Sequence, residues 1–289
     1  MELNLPLLAY GGYCHTVSQQ LPKLNSLLKA LPFKLPRRSD RLTQLSLLGL
    51  ANTPGCLPLS EHTNLVLTSG DANLSSTIAN SEQIFDSGTI PNPIGFINTV
   101  NNSTSYHICM TLGIYGQVIT VSRDHCSLEA GIEIASTLQH SADSPILLGT
   151  VDEIPNDLEQ HRRRLNMSDD SPLAEGSFWF LCGDQPASQT ALATIKFCGP
   201  MLDKDEVSSF FREHQITHHL LGDFIQNSPL KDLKLPGKRF ITASCGHYLT
   251  QNAYYLQSWL KSAQQGERLG MLNGTAGSQR LSVTLIEKH

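Results

Sequence analysis

Nucleophilic and acid–base side chains come together in this 289-residue sequence at His125-Cys126, His218-His219 and Cys245-Gly246-His247, among other places. The first stands in the most telling context. Gln117–Val121 is a short apolar, β-branched run that reads as a buried strand. Ser122, Arg123 and Asp124 break that pattern. Leu128, Ile132, Ala135 and Leu138 then recur at helical spacing. A strand, a tight elbow and a helix therefore follow one another around residues 113–135. An elbow of this kind sets one side chain at the positive N-terminal end of a helix, where unpaired backbone N–H groups favour an anion. A cysteine in that place has a lowered pKa and acts as a nucleophile. The elbow reads His125-Cys126, so the chemistry depends on which of the two occupies the reacting position.

The composition narrows the alternatives. The chain is long enough for one large domain or two intimately packed halves, and 40% hydrophobic with 16% charged residues is ordinary globular composition. A net charge of −5 argues against a nucleic-acid partner. Seven cysteines, scattered and never in CxxC pairs, read as reduced thiols and not as a disulfide scaffold or zinc site. Among eleven histidines only His214, His218 and His219 cluster, without an HExxH-type helix, so neither metal nor cofactor is expected. No apolar run approaches the roughly 20 residues of a membrane span. With no basic, apolar leader in view, a cytoplasmic protein is expected.

The elements that must position these residues alternate. Leu5–Tyr10 reads as a strand closed by Gly11-Gly12, Ser18–Leu31 as an amphipathic helix, and Arg41–Ala51 as a second helix. A strand at Leu65–Thr68, a polar helix reaching Phe85 and an Asn-rich helix over Phe96–Leu112 precede the elbow. Pro145–Val151 reads as a strand and residues 155–170 as a charged surface excursion. Ser177–Cys182 and Ala191–Phe197 read as a hairpin. Beyond them come a helix over Asp203–Glu213, strands at Gln215–Leu220 and Arg239–Ala243, a helix over Tyr248–Gln264 and two closing strands. Such alternation predicts an α/β sandwich with a mostly parallel sheet, in two loosely similar halves.

The order of elements and several phrases resemble a β-ketoacyl synthase of the thiolase fold. Arg41-Leu42-Thr43-Gln44-Leu45 resembles the family's early helix, and the stretch from Pro93 through Val100-Asn101-Asn102-Ser103 its entry into the dimer-interface helix. Gly113-Ile114-Tyr115-Gly116-Gln117 resembles the turn before the nucleophile strand, and Ala174-Glu175-Gly176-Ser177 the family's Gly-Glu-Gly-Ala. Leu148–Glu153 resembles the end of the next strand. Leu221-Gly222-Asp223 and Ser244-Cys245-Gly246-His247 resemble the loops of the first and second catalytic histidines, and Asn273–Ser278 the Gly-rich gating turn. The resemblance implies a thiolase-like layered sandwich of two related βαβαβαββ-type halves, residues 1–185 and a shortened 186–289.

The departures imply the function. The family's nucleophilic cysteine falls nine positions after the glycine matching Gly116, on His125, and Cys126 comes one residue late. One residue along a helix turns a side chain by about 100°. The lysine expected before the second histidine is Thr242, the first-histidine loop at His218-His219 is short, and the whole chain is considerably shorter than a typical ketosynthase. His125, Cys126, His218, His219 and His247 thus read as degenerate catalytic positions. The resemblance then implies a chain-length-factor subunit of a type II polyketide or aryl polyene synthase. Its expected partner is a full-length ketosynthase, with acyl carrier protein met only through that partner. Phe96, Asn98, Asn101, Asn102, Ser103, Tyr106 and Tyr115 are the expected interface or tunnel residues. Two alternatives stand beside this one: an active synthase or acyltransferase using Cys126 with His218 or His219 and His247, and a homodimeric thiolase-fold binding protein.

Overall fold

In the computed structural model one strand, β1 (Glu2–Val17), runs through the middle of a ten-stranded sheet. The structure describes residues 2–37, 39–138, 140–184, 190–226, 228–275 and 281–289, without the side chains of 200–202. Strands β2 (Asn64–Thr68), β3 (Val118–Val121), β4 (Ile146–Asp152) and β5 (Leu173–Cys182) form one flank. Strands β6 (Ala193–Leu202), β7 (His218–Leu221), β8 (Lys238–Arg239), β9 (Arg268–Asn273) and β10 (Leu281–Lys288) form the other. The helices of the first part are α1 (Asn25–Lys29), α2 (Arg41–Ala51), α3 (Leu74–Phe85), α4 (Pro93–Ile97), α5 (Ser103–Leu112), α6 (Ser127–Thr137) and α7 (Leu158–Arg164). Those of the second are α8 (Lys204–Glu213), α9 (Asp223–Gln226) and α10 (Asn252–Ser262).

The strand order is β3-β2-β4-β5-β1-β6-β10-β9-β7-β8. From the centre outward both flanks follow one plan. β1-β5-β4 and β6-β10-β9 are antiparallel, whereas β4-β2-β3 and β9-β7-β8 are parallel. The sheet is therefore mixed and not mostly parallel. Two related halves, indistinct in the residues, are plain in the topology. The boundary expected near residue 185 falls at residues 185–189, outside the described residues, as do residues 276–278 of the expected gating turn.

Side chains of α6 and α10 share one core with strands of both flanks, including Leu128 and Ile132 with Val66 and Leu148, and Leu256 and Trp259 with Ile195 and Met271. The outer face of the first flank is closed by α2 and α5, and that of the second by α8 and α9. This is helix, one flank of the sheet, central helices, the other flank, helix: a layered sandwich.

Several elements differ from expectation for identifiable reasons. β1 does not stop at Gly11-Gly12, because those glycines are where other backbone crosses it. A Cβ on Gly12 would lie 2.5 Å from the Ser177 carbonyl oxygen, and one on Gly11 2.6 Å from that of Asn52. The expected 18–31 helix shrinks to α1, which buries only Leu28. The expected helix over 96–112 is two, α4 and α5, broken at Asn98–Asn102. The 155–170 stretch is no mere excursion. Within α7, His161 is 5% and Arg162 9% exposed, and Arg162 donates to the Ser171 and Ser18 carbonyls. The supposed hairpin is not one, since β1 lies between β5 and β6. The strand expected at 239–243 shortens to β8.

Close packing of α2 on β5 gives a first test. Asp40 caps α2 by accepting from the Thr43 amide at 2.8 Å, and Trp179 Nε1 donates to the Ser46 carbonyl at 3.0 Å. Gly49 faces β5 so closely that a Cβ would lie 2.4 Å from both Oγ and the carbonyl oxygen of Ser177. Gly49→Ala is expected to cost about 1–3 kcal/mol by overpacking, despite about 1 kcal/mol of gained helix propensity. An unchanged or raised urea midpoint would show that α2 can slide.

Candidate functional site

The elbow exists, and hydroxyl groups hold it. Ser122 Oγ, just beyond β3, donates to the carbonyls of Ser69 and Gly70 at 2.6 and 2.8 Å. Ser127 Oγ, the first residue of α6, accepts from the Arg123 amide at 2.9 Å and donates to the Asp124 carbonyl at 2.7 Å. Asp124 takes φ +48°, a left-handed conformation that a side chain disfavours, at the tip of the turn. One turn of 3₁₀ helix, Asp124–Cys126, then leads into α6.

This geometry decides which residue faces the cleft. The His125 ring centroid lies 5.9 Å from that of His247 and 5.6 Å from that of Phe224. His247 Nδ1 makes an ion-pair contact with Asp223 Oδ2. These residues, with Asp124 and Arg164, line a cleft of about 680 Å³. Burial holds the His125 imidazole below its ordinary pKa and outweighs the opposing pull of Asp124, so the ring is neutral at pH 7. Cys126 does not line the cleft. It is 2% exposed, and burial, reinforced by Glu129, pushes its thiol well above the ordinary range.

Below the elbow a buried carboxylate ties the two halves together. Glu129 Oε1 accepts from Asn252 Nδ2 at 3.0 Å and Asn273 Nδ2 at 3.1 Å, and Asn273 Nδ2 also donates to the His125 carbonyl at 2.5 Å. Burial raises Glu129 to about 7. Asp152, at the end of β4, accepts from Ser69 Oγ, the Gly70 amide and the Thr250 amide, joining the loops on either side of the cleft. Arg164 forms a two-toothed pair with Asp71 at the rim.

His125 and His247 are therefore brought together, and His218 and His219 are not. Both lie at the start of β7. His218 Nδ1 is 3.9 Å from Glu267 Oε2, and His219 Nδ1 is 3.1 Å from the Pro236 carbonyl. Asp223 lies five residues beyond His218 and four beyond His219, past the other end of β7. It is Asp223, with Phe224, that stands at the cleft end of β7 where the first histidine was expected. Its sequence signal is a carboxylate directly after an apolar strand, at the carboxyl end where α/β sheets place their ligands. Glu129, Asn252 and Arg164 carry no such signal. Among the described residues no group of three or more His, Cys, Asp or Glu is arranged to hold a metal ion.

The expected interface residues divide. Phe96, Tyr106 and Tyr115 are 61%, 60% and 72% exposed, and Asn101 and Asn102 are exposed beside them. Asn98 and Ser103 are buried in the fold. β3, expected to be buried, is an exposed edge with β2 as its neighbour. Val118, Ile119 and Thr120 of that edge form a shallow trough with Val100, Asn101 and Tyr106. Ser105 and Thr120 share a hydrogen bond of 2.7 Å that fixes α5 on it.

The layered sandwich, its two related halves and the strand–elbow–helix are those of the thiolase fold of β-ketoacyl synthases. Many solved structures carry the likeness, and three illustrate it at nearly full length. The ishigamide ketosynthase/chain length factor superposes with a TM-score of 0.70 at 13% identity, over 99% of each chain. A β-ketoacyl synthase from Burkholderia phymatum STM815 gives 0.66 at 12%, over 100% of each. The ketosynthase ApeO in complex with its chain length factor ApeC, from Xenorhabdus doucetiae, gives 0.57 at 13%, over 99% of this chain and 100% of that one. No family model and no curated protein matches the sequence. Among the described residues no helix is long and apolar enough to cross a membrane.

Proposed function

We propose that the chain is a non-catalytic, chain-length-factor-type subunit. It pairs with an active β-ketoacyl synthase and helps limit a polyene or polyketide chain built from malonyl thioesters on acyl carrier protein. One observation carries this reading: an imidazole, His125, faces the cleft at the elbow, while the neighbouring thiol is turned into the core. Condensation needs a thiolate to hold the acyl group as a thioester, and an imidazole cannot hold one stably. The acyl chain is then carried by the partner's cysteine, and acyl carrier protein serves that partner. The exposed edge of β3 with Tyr106, Tyr115 and Phe96 supports a subunit contact, because an apolar strand edge left open favours association. Two of the similar structures include chain length factors, and another is a type II PKS acyl-carrier protein in complex with its ketosynthase. An aryl polyene pathway is the finer placement.

Co-expression with a neighbouring full-length ketosynthase, only that partner tagged, tests the reading. One-to-one recovery is expected, with condensation surviving His125→Ala and Cys126→Ala. Val118→Asp at the β3 edge is expected to lower recovery at least tenfold, since it buries an unpaired charge. A homodimer that ignores the ketosynthase and loses an acyl-transfer activity on Cys126→Ala would overturn it.

A further inference from the structure

Two residues before His247 the chain carries Cys245, and Cys14 of β1 lies against it. Thr16, two residues beyond Cys14 and so on the same face of β1, donates its hydroxyl to the Cys245 carbonyl at 2.5 Å. The Cys14 and Cys245 thiols are neighbours on this seam, and each perturbs the ionisation of the other. The loop is pinned there. The His247 amide donates to the Pro172 carbonyl at 2.8 Å, the Ala174 amide donates to the His247 carbonyl at 2.9 Å, and Gly246 at φ +112° is pressed against Leu173. Cys56, Cys109, Cys126, Cys182 and Cys198 are buried, whereas Cys14 and Cys245 are both partly open to solvent. Cys14 draws Cys245 below the ordinary thiol pKa, and Cys245, with burial, raises Cys14. The pair thus holds one thiol disposed to ionise and one that keeps its proton.

We propose that Cys14 and Cys245 are an oxidisable pair that closes to a disulfide under peroxide and staples the His247 loop to β1. In the first step the Cys245 thiolate attacks peroxide. An S–O bond forms, the O–O bond breaks, and the departing hydroxide takes up a proton to leave as water. In the second the Cys14 sulfur attacks the sulfenic Cys245 sulfur. An S–S bond forms, the S–O bond breaks, and the hydroxyl leaves as water with the Cys14 proton. The dithiol loses two electrons and two protons, and hydrogen peroxide becomes two waters. Nothing in the scheme involves the elbow or a ketosynthase, so it stands or falls apart from the proposed function.

Peptide mapping of the full-length chain, alone or in its complex, after graded hydrogen peroxide tests it. Free thiols are expected to fall from seven to five, with Cys14 and Cys245 peptides joined and separated again by dithiothreitol. In Cys14→Ser, Cys245 is expected to stop at a dimedone-reactive sulfenic acid; in Cys245→Ser, Cys14 is expected to remain a thiol. Peptides that stay separate while Cys245 is consumed, a Cys245 thiol that outlasts the other six, or Cys14 oxidised equally fast in Cys245→Ser would each overturn the proposal.

Discussion

Arg41→Ala is expected to cost roughly 3–5 kcal/mol, because it strands a fully buried carboxylate. Glu175 is 0% exposed near the start of β5. Its Oε1 accepts from Arg41 Nε at 2.6 Å and the Ile154 amide at 3.0 Å, and its Oε2 accepts from Arg41 Nη2 at 2.6 Å and faces His15 Nε2 at 3.0 Å. Burial alone would raise this carboxyl. The hydrogen bonds from His15 and Arg41 outweigh burial and leave it below the ordinary value. A carboxylate lowered in the folded state contributes stability that is present above its unfolded pKa, about 4.3. That contribution is lost as pH falls through the folded value. Arg41→Ala removes the main partner and should lower the urea midpoint at pH 7, and its deficit against the parent should shrink as pH falls, because protonating the stranded carboxyl relieves it. Adding Glu175→Gln to Arg41→Ala should recover part of the loss, since the stranded charge is then gone. A single variant as stable as the parent would mean that water reaches Glu175.

Three other buried carboxyls act in the opposite sense, and Glu153 most strongly. Burial raises Glu153 to about 8, Glu129 to about 7 and Asp152 to about 6. Below about pH 3.5 each acid is largely protonated in both states and costs little. As pH rises, the unfolded chain releases these protons while the folded chain keeps them, so stability falls until the folded pKa is passed. For Glu153 the window runs from its ordinary 4.5 to about 8, an upper limit of about 4–5 kcal/mol at about 1.4 kcal/mol per pH unit. Glu175 acts on the acid side of these windows. Glu153→Gln retains an acceptor for the Ser75 amide, which donates to Glu153 Oε1 at 2.9 Å, and should flatten about half of the decline between pH 5 and 9. Equal slopes for variant and parent in urea midpoints at pH 5, 7 and 9 would sink this account.

What could be read from the residues was whatever local chemistry decides. α2 begins and ends where expected, at Arg41 and Ala51, because Asp40 caps it and its leucines recur at helical spacing. The elbow is legible for the same reason: an apolar run, three polar breakers and a new period. β1 was cut short because Gly11 and Gly12 punctuate locally, whereas here they admit the backbones of Asn52 and Ser177. The hairpin misreading has a similar origin, since nothing local announces that β1 will come between β5 and β6. At the site, His125 and His247 could be placed by resemblance and spacing. His218 and His219 looked equally suitable, and only the direction of β7 shows that its cleft end is Asp223.

The two ends of the sheet are unlike. At one, β3 offers four residues, Val118–Val121, with Val118 45% exposed. At the other, β8 is two residues long and both are exposed cations, Lys238 and Arg239. A short charged rim repels an incoming strand, and a longer apolar one templates it. Growth by strand addition is thus open in one direction only. Two such chains, or one and a partner, can meet edge to edge and then have no free template left, so association closes on itself and does not propagate into a fibre.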